Sequence, residues 1–504
     1  MARAAKPKKE ISMEEALWKS ADKLRGSVEP AEYKHVVLSL FFLKFASDKF
    51  EECRNKIIST HGEKYADMKP FYTQENVFYL PEESRWKYII ENAKQDDIPL
   101  KIDTALYTIE KNNPALKGAL PDNYYSRLHI DTAKLASLLD EINRINTDDK
   151  ENDIIGRVYE YFLQAFSINA DKEEGEFYTP HSIVELIASL IEPFDGTVYD
   201  PCCGSGGMFV QAAKFIEAHG GNTKAVNVYG QESEPATYRL AKMNLAIRGI
   251  SYHLGDRAIS TFSDDQHKEL KFDYIMANPP FNLKKYAEYG GFETDPRWQG
   301  YGVPPTSNAN YAWIQHMIHH LAPNGKIGLV LANGALSSQS SGEGDIRKNI
   351  IQADLVEGIV ALPTQLFYSV TIPVTLWFIT KNKKQKGKTL FIDARKMGYM
   401  VDRKHRDFTD EDIQKLADTF TAFQEGTLED VKGFCAVADL QEIEKQDFIL
   451  TPGRYVGIEE VEDDGEPFEE KMTRLTSELS EMFAKSHELE DEIRKKLGAI
   501  GYEV

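Results

Sequence analysis

Cysteine is scarce in this 504-residue chain, limited to Cys53, Cys202, Cys203 and Cys435. No two of them stand at C-x-x-C spacing, which excludes a zinc ribbon, and no disulfide framework is implied, so a reducing compartment fits. Long apolar runs are missing too. No stretch of about 18 apolar residues suggests a membrane span, and the basic opening Met1–Glu10 is not followed by an apolar signal core. These absences predict a soluble cytoplasmic protein. Positive charge is in short supply: 60 Lys and Arg face 80 Asp and Glu, a net charge of −20. Phosphate contacts come from Lys and Arg, so a chain this acidic either does not act on nucleic acid or relies on a partner for most of its grip.

The residues present fall into blocks. From Ser12 to about Asn169, apolar positions recur at helical spacing. Examples are Leu17, Ala21 and Leu24, then Leu38, Phe41, Phe42 and Phe45, and later Leu135, Leu138, Leu139 and Ile142. An all-helical N-terminal domain over 1–170 is expected. After about Asp171 short apolar strands alternate with helical stretches: Thr197–Tyr199, Val226–Tyr229, Tyr274–Met276, Ile327–Leu331, Val356–Val360 and Val374–Ile379. Such alternation predicts an α/β domain over 171–400 with a mostly parallel, doubly wound sheet. Residues 401–465 read as a mixed segment ending in an acidic linker. Residues 466–504 read as a helical tail, with Phe468, Met472, Leu475, Leu479, Met482, Leu489, Ile493 and Leu497 on a heptad-like seam suited to assembly.

Two motifs fall at predicted strand ends, where ligands sit on such sheets. The first is Asp200-Pro201-Cys202-Cys203-Gly204-Ser205-Gly206-Gly207, between a strand and a helix. Its glycines admit a ligand close to the backbone, and its leading carboxylate repels a pyrophosphate but attracts an ammonium group. G-x-G-x-x-G, which a dinucleotide site needs, is absent. Glu232, ending the next strand, suits two ribose hydroxyls, and Asp256 suits an adenine amine. Together the three acids fit S-adenosyl-methionine. The second motif is Asn278-Pro279-Pro280-Phe281. Its carboxamide oxygen and the Pro279 carbonyl can accept from an exocyclic amine while Phe281 stacks on the planar base that carries it.

Other features carry blander readings. Cys202 and Cys203 read as small packing residues. His316, His319 and His320 read as helix-surface residues without an acidic or Cys partner for a metal, and the five lysines from Lys381 to Lys388 as a solvated loop or, in a chain otherwise so acidic, a contact for a nucleic-acid backbone. Gly387-Lys388-Thr389 resembles the end of a P-loop, but Asn382 stands where its first glycine belongs, so no ATPase is supported.

Four regions together resemble the modification subunit of type I restriction–modification systems: Leu17–Gly26, Gly175–His181, Asp200–Phe209 and Asn278–Phe281. The resemblance spans most of the chain and implies a Rossmann-like methyltransferase fold that moves a methyl from S-adenosyl-methionine to N6 of a flipped adenine in double-stranded DNA. It implies that Glu176, Phe177, Tyr178, Thr179, Pro180 and His181 close over the methionine end of the cofactor. It also implies a second copy of the chain, a DNA specificity subunit and an ATP-driven restriction subunit as partners, which answers the charge deficit. No metal is implied. The Cys202-Cys203 pair departs from the small residues many relatives carry. Two rivals remain: a methyltransferase acting on RNA or on protein glutamine, and a non-catalytic scaffold of the same fold.

Overall fold

The computed structural model of the chain describes Trp18 and residues 30–75, 77–145, 161–162, 179–222, 226–367, 372–403, 405–458 and 468–499. Leu17, Ala21 and Leu24, together with Glu176, Phe177 and Tyr178, lie outside the described residues. The described chain divides into two units, Met1–Gly457 and Ile458–Val504.

Within the first unit, apolar positions at helical spacing build helices α1 (Pro30–His61), α2 (Ile98–Asn112) and α3 (Thr132–Asn143). Their buried faces meet in one core that includes Val37, Phe41, Ile102, Leu106, Leu135 and Leu139. Buried Asp103 fixes the chain beyond α2 by accepting from the backbone N–H groups of Tyr124, Tyr125 and Ser126, each at 2.9 Å. A buried carboxylate is tolerable only when satisfied in this way.

Beyond it stands a nine-stranded sheet in the order β11-β8-β6-β7-β5-β4-β1-β2-β3. In chain order the strands are β1 Gly196–Asp200, β2 Val226–Gly230, β3 Tyr252–His253, β4 Phe272–Ala277, β5 Leu321–Ala332 and β6 Val356–Ala361. They continue with β7 Val374–Thr380, β8 Lys388–Asp393 and β11 Cys435–Asp439, while β9 Tyr399–Met400 and β10 Arg406–Asp407 form a separate hairpin. Five of the strand pairs in the sheet are parallel (β1–β2, β1–β4, β2–β3, β4–β5, β6–β8), and β7 and β11 run antiparallel to their neighbours. All six strands read from the sequence form, and the sheet is mostly parallel as expected. The sequence reading left out β8 and β11, the second of which extends the sheet past residue 400.

Alternate residues of each strand feed opposite faces. Val198, Met276, Val330, Leu376 and Phe378 enter one core, while Tyr199, Ile275, Leu329, Trp377 and Ile379 enter the other. Both faces are therefore apolar and both must be covered. Helices α4 (His181–Ile191), α5 (Gly207–Ala218), α6 (Pro235–Ile247) and α9 (Asp410–Glu425) contribute to the first core. Helices α7 (Asn310–His320) and α8 (Glu343–Gln352) contribute to the second. Helix α6 is apolar on two sides. Tyr238, Ala241 and Leu245 join the sheet core, whereas Leu240, Met243 and Ile247 join the N-terminal helical core, so one helix serves both.

The second unit is helix α10, Phe468–Ala499. Met472, Leu475, Leu479, Met482, Phe483, Leu489 and Ile493 on it are all between 43% and 65% exposed. Among the described residues no helix is long and apolar enough to cross a membrane.

Candidate active site

Strand register brings the two sequence motifs together. Asp200 pairs with Gly230 across β1–β2, and Tyr199 with Ile275 across β1–β4. Glu232 and Asn278 thus leave the sheet at the same edge as Asp200, one on each side of it. With strands about 4.8 Å apart, the three ends span about 10 Å.

The donor loop is held by its own hydrogen bonds. Asp200 Oδ1 accepts from the backbone N–H of Cys202 at 3.0 Å. Glu232 Oε2 accepts from the Gly204 N–H at 3.0 Å, and Oε1 from the Glu234 N–H at 2.8 Å. Buried Asn244 donates to the Ser205 carbonyl at 2.7 Å. Gly204 and Gly206 take φ of 54° and 81°, where a side chain would be strained, so their glycines are required by the turn itself. Burial pushes the Asp200 carboxyl up to about 7, with Glu232 adding repulsion. Burial also raises Glu232, against the lowering effect of its backbone donors. A buried and a half-buried carboxylate with raised affinity for protons make a donor set that favours a cation, which fits the ammonium and sulfonium charges of S-adenosyl-methionine. Asp256, on the loop after β3, is exposed, and its N–H donates to Gln266 Oε1 at 2.7 Å.

Cys203 is buried, and the Cys202 thiol lies against Asp200 Oδ1. Burial raises both thiols well above the ordinary value, with Asp200 adding to it. Thiols in that state are poor nucleophiles.

The catalytic-type loop is built differently. Asn278 Nδ2 donates to Thr179 Oγ1 at 2.9 Å, and Oδ1 is buried without a hydrogen-bond partner among the described residues. Pro279 is buried, and the half-buried Phe281 ring meets Phe367 edge-on at 6.4 Å. Asn282, at φ 54°, anchors the loop's exit. Its Oδ1 accepts from Asn308 and Asn310 at 3.0 Å each, and its N–H donates to Asn310 Oδ1 at 3.1 Å. Sequence reading missed these clamps. The Asn308-Ala309-Asn310 spacing at a helix start was the available signal. Pro180 precedes α4, and His181 in its first turn pairs with Glu185 at 3.2 Å.

Two of the blander readings need correction. His316 and His320 are fully buried, not surface residues, and an acid reaches them from another segment: Asp265 Oδ2 lies 2.8 Å from His320 Nε2. The expectation failed because the covering loop comes from residues some fifty positions upstream, invisible to helix periodicity. All four ring nitrogens are committed to protein groups. His320 faces the Leu270 carbonyl and Asp265, while His316 faces the Tyr199 hydroxyl and the Arg297 guanidinium, which repels a metal ion. The lysine run is likewise not simply solvated. Lys383 is buried on Asp354 at 2.6 Å, Lys381 donates to the Leu321 carbonyl at 2.7 Å and Lys384 to Gln424 at 3.1 Å.

Comparison with known proteins identifies the family. Residues 150–464 match the N-6 DNA Methylase family, and residues 13–142 the HsdM N-terminal domain. The chain is 49% identical over 445 residues to the type I restriction enzyme HindI methylase subunit of Haemophilus influenzae, covering 84% of this chain and 100% of that protein. It is 42% identical over 516 residues to the MjaIX methylase subunit of Methanocaldococcus jannaschii, covering 97% and 91% respectively. Among solved structures, a type I restriction–modification methyltransferase subunit from Streptococcus thermophilus superposes with a TM-score of 0.74 at 25% identity, covering 89% of this chain and 99% of that one. The chain belongs to the N-6 DNA methylase family as a type I restriction enzyme methylase subunit, an S-adenosyl-methionine-dependent DNA adenine-N6 methyltransferase.

Proposed function

We propose that Asn278, Pro279, Pro280 and Phe281 form the wall of a pocket that receives an adenine flipped out of double-stranded DNA. The observation that carries this reading is the state of Asn278, whose amide nitrogen is held by Thr179 while its oxygen is buried and unpartnered among the described residues. Burying an unmatched acceptor costs about 1–3 kcal/mol. At a strand end on the ligand-binding edge of the sheet, such an acceptor is matched to a donor supplied by a ligand. The adenine N6 amine is that donor. Asn278 Oδ1 and the Pro279 carbonyl accept its two hydrogens, turning the nitrogen lone pair out of the ring plane, and Phe281 stacks on the base.

Bound S-adenosyl-methionine supplies an electrophilic methyl on its sulfonium. Asp200 faces its ammonium, Glu232 its ribose and Asp256 its adenine amine, while Gly204, Ser205, Gly206 and Gly207 let the ligand lie against the backbone. The resemblance to type I modification subunits assigns Glu176, Phe177, Tyr178, Thr179, Pro180 and His181 to its methionine end. Positioning and electrostatics lower the barrier.

The acidic chain reaches DNA in the cytoplasm within an assembly of two copies, one specificity subunit and a restriction subunit. The exposed apolar seam of α10 is the element through which it assembles. Removing Phe468–Val504 is expected to leave a folded, cofactor-binding protein that no longer co-elutes with the specificity subunit on size exclusion. The chemistry is tested by incubating the reconstituted complex with tritiated cofactor and hydrolysing the DNA for nucleoside mass spectrometry. N6-methyladenine is expected. Label in RNA or in protein glutamine instead would overturn the reading.

A further inference from the structure

The β9–β10 hairpin, within Arg395–Asp407, is chemically unlike the rest of the chain. Its sequence holds Arg395, Lys396, Arg403, Lys404 and Arg406 against two acids, Asp402 and Asp407, in a protein of net charge −20. Three consecutive apolar residues, Tyr399, Met400 and Val401, are 49%, 42% and 56% exposed. The hairpin is not a loose loop. Val401 N–H donates to the His405 carbonyl at 2.9 Å, Asp402 caps the His405 N–H at 2.9 Å, and Arg406 Nη1 donates to the Met397 carbonyl at 2.8 Å. Gly398, at φ 79°, sits where a Cβ would meet the Asp407 carbonyl at 2.6 Å, so the tight crossing requires glycine. A hydrogen-bonded element that holds an apolar strand in water is matched to a partner surface.

Its position indicates the partner. The Arg406 N–H donates to the Gln365 carbonyl at 2.9 Å, and Gln365 stands two residues before Phe367, the ring that meets Phe281. Phe408, just past β10, packs in the same core as Leu366 and Phe367. The hairpin is thus mounted on the loop that backs the proposed adenine pocket. An extruded base leaves its neighbours in the duplex within a few ångströms of that pocket, and their phosphates are the nearest polyanion.

We propose that this hairpin is a DNA-contacting element beside the flipped adenine, with Arg403 and Lys396 toward phosphates and the exposed Tyr399-Met400-Val401 strand against the unstacked bases. Apolar side chains pressed against base steps are a known way to stabilise distorted duplexes. The proposal rests on the assignment of Asn278–Phe281 as the adenine pocket.

The test uses the reconstituted complex with its specificity subunit and a target duplex. For Lys396→Gln and Arg403→Gln, affinity should fall, and the slope of log affinity against log salt should shrink by about 0.9 per lost phosphate contact. For Tyr399→Ser with Met400→Ser, affinity should fall about threefold to tenfold with the slope unchanged, and 2-aminopurine at the target position should brighten less. Cofactor affinity without DNA and co-elution with the specificity subunit should match wild type throughout. Unchanged slope and affinity in the charge variants would overturn the proposal. Lost co-elution with an unchanged slope would overturn it in favour of a protein interface. The product analysis of the wild-type complex tests the adenine assignment separately, because it does not involve the hairpin.

Discussion

The loops after β1 and after β4 sit at neighbouring strand ends and are built on opposite plans. In the donor loop, the acceptors are already engaged: Asp200 by the Cys202 N–H, and Glu232 by the Gly204 and Glu234 N–H groups. In the loop proposed to receive the adenine, the frame is engaged through Asn282, Asn308 and Asn310, but Asn278 Oδ1 is left unmatched among the described residues. On the proposed assignment, the difference separates binding from catalysis. A pre-satisfied loop holds its shape whether or not a ligand is present, whereas an unmatched acceptor gains its bond only when the reacting amine arrives. Interactions realised late raise turnover, while those present throughout raise affinity.

The sharpest way to break this comparison is Asn278→Ala. Turnover should fall by about 10²–10³, the scale for removing one preorganised polar group at a reacting centre. Cofactor affinity should hold, and the melting temperature should stay level or rise, because the substitution deletes an unsatisfied buried atom. A large drop in melting temperature would show that Asn278 is a structural residue, and the two plans would collapse into one.

Glu232→Ala probes the other plan. Losing hydrogen bonds to a charged group costs about 1.5–3 kcal/mol, or roughly 10- to 150-fold in cofactor affinity. Since Glu232 also holds the Gly204 N–H, the free protein should melt earlier, which Asn278→Ala does not predict. Glu232→Gln keeps an acceptor for Gly204 and should restore the melting temperature more than the affinity. Calorimetry and a thermal melt on both variants decide it.

How far these plans were legible in the sequence depends on the range of the contacts. Asp200, Glu232 and Asn278 were readable because each ends an apolar run, and strand ends on a parallel sheet share one edge. Helices α1, α3 and α10 were readable from local periodicity. The clamp of Asn282 on Asn308 and Asn310 was not, because amide pairs 26 and 28 residues apart leave no periodic trace. The burial of His316 and His320 under Asp265 was hidden for the same reason, at separations of about fifty residues. Strand β11 was missed because it is short and joins the sheet edge antiparallel after a helix, where βα alternation gives no cue.

Proton linkage offers a milder perturbation of the donor loop. Burial raises Asp200 to about 7, so below that pH the group is a neutral acid and cannot meet a cation. Because the raised group contributes stability at low pH and loses it as pH rises through 7, the free protein bears an ionised, unpaired carboxylate above that value. A cationic ligand relieves this. Cofactor affinity should therefore rise by somewhat less than tenfold between about pH 6 and 7.5, stopping where the ligand's own amino group starts to titrate. Calorimetry in two buffers of different ionisation enthalpy should show a proton released on binding below pH 7. Affinity that is flat with pH would remove Asp200 from the cation's shell.

The smallest expected effect tests whether the two loops communicate. Thr179 belongs to the segment assigned above to the methionine end of the cofactor, yet its hydroxyl lies on the Asn278 amide nitrogen at 2.9 Å. That bond leaves Oδ1, not Nδ2, for the incoming amine. Thr179→Val keeps the shape and removes the hydroxyl, so Asn278 can rotate its amide and present a donor where an acceptor is needed. A neutral hydrogen bond contributes about 0.5–1.5 kcal/mol. Turnover should accordingly fall about threefold to tenfold, with Thr179→Ser close to wild type. If Thr179 acts through Asn278, adding Thr179→Val to Asn278→Ala should cost nothing further, because the two substitutions remove one interaction. If instead it acts only on the cofactor, KM for S-adenosyl-methionine should rise in both backgrounds while turnover at saturation is spared. Rate measurements on the four proteins of that cycle, at saturating and limiting cofactor, separate the two roles.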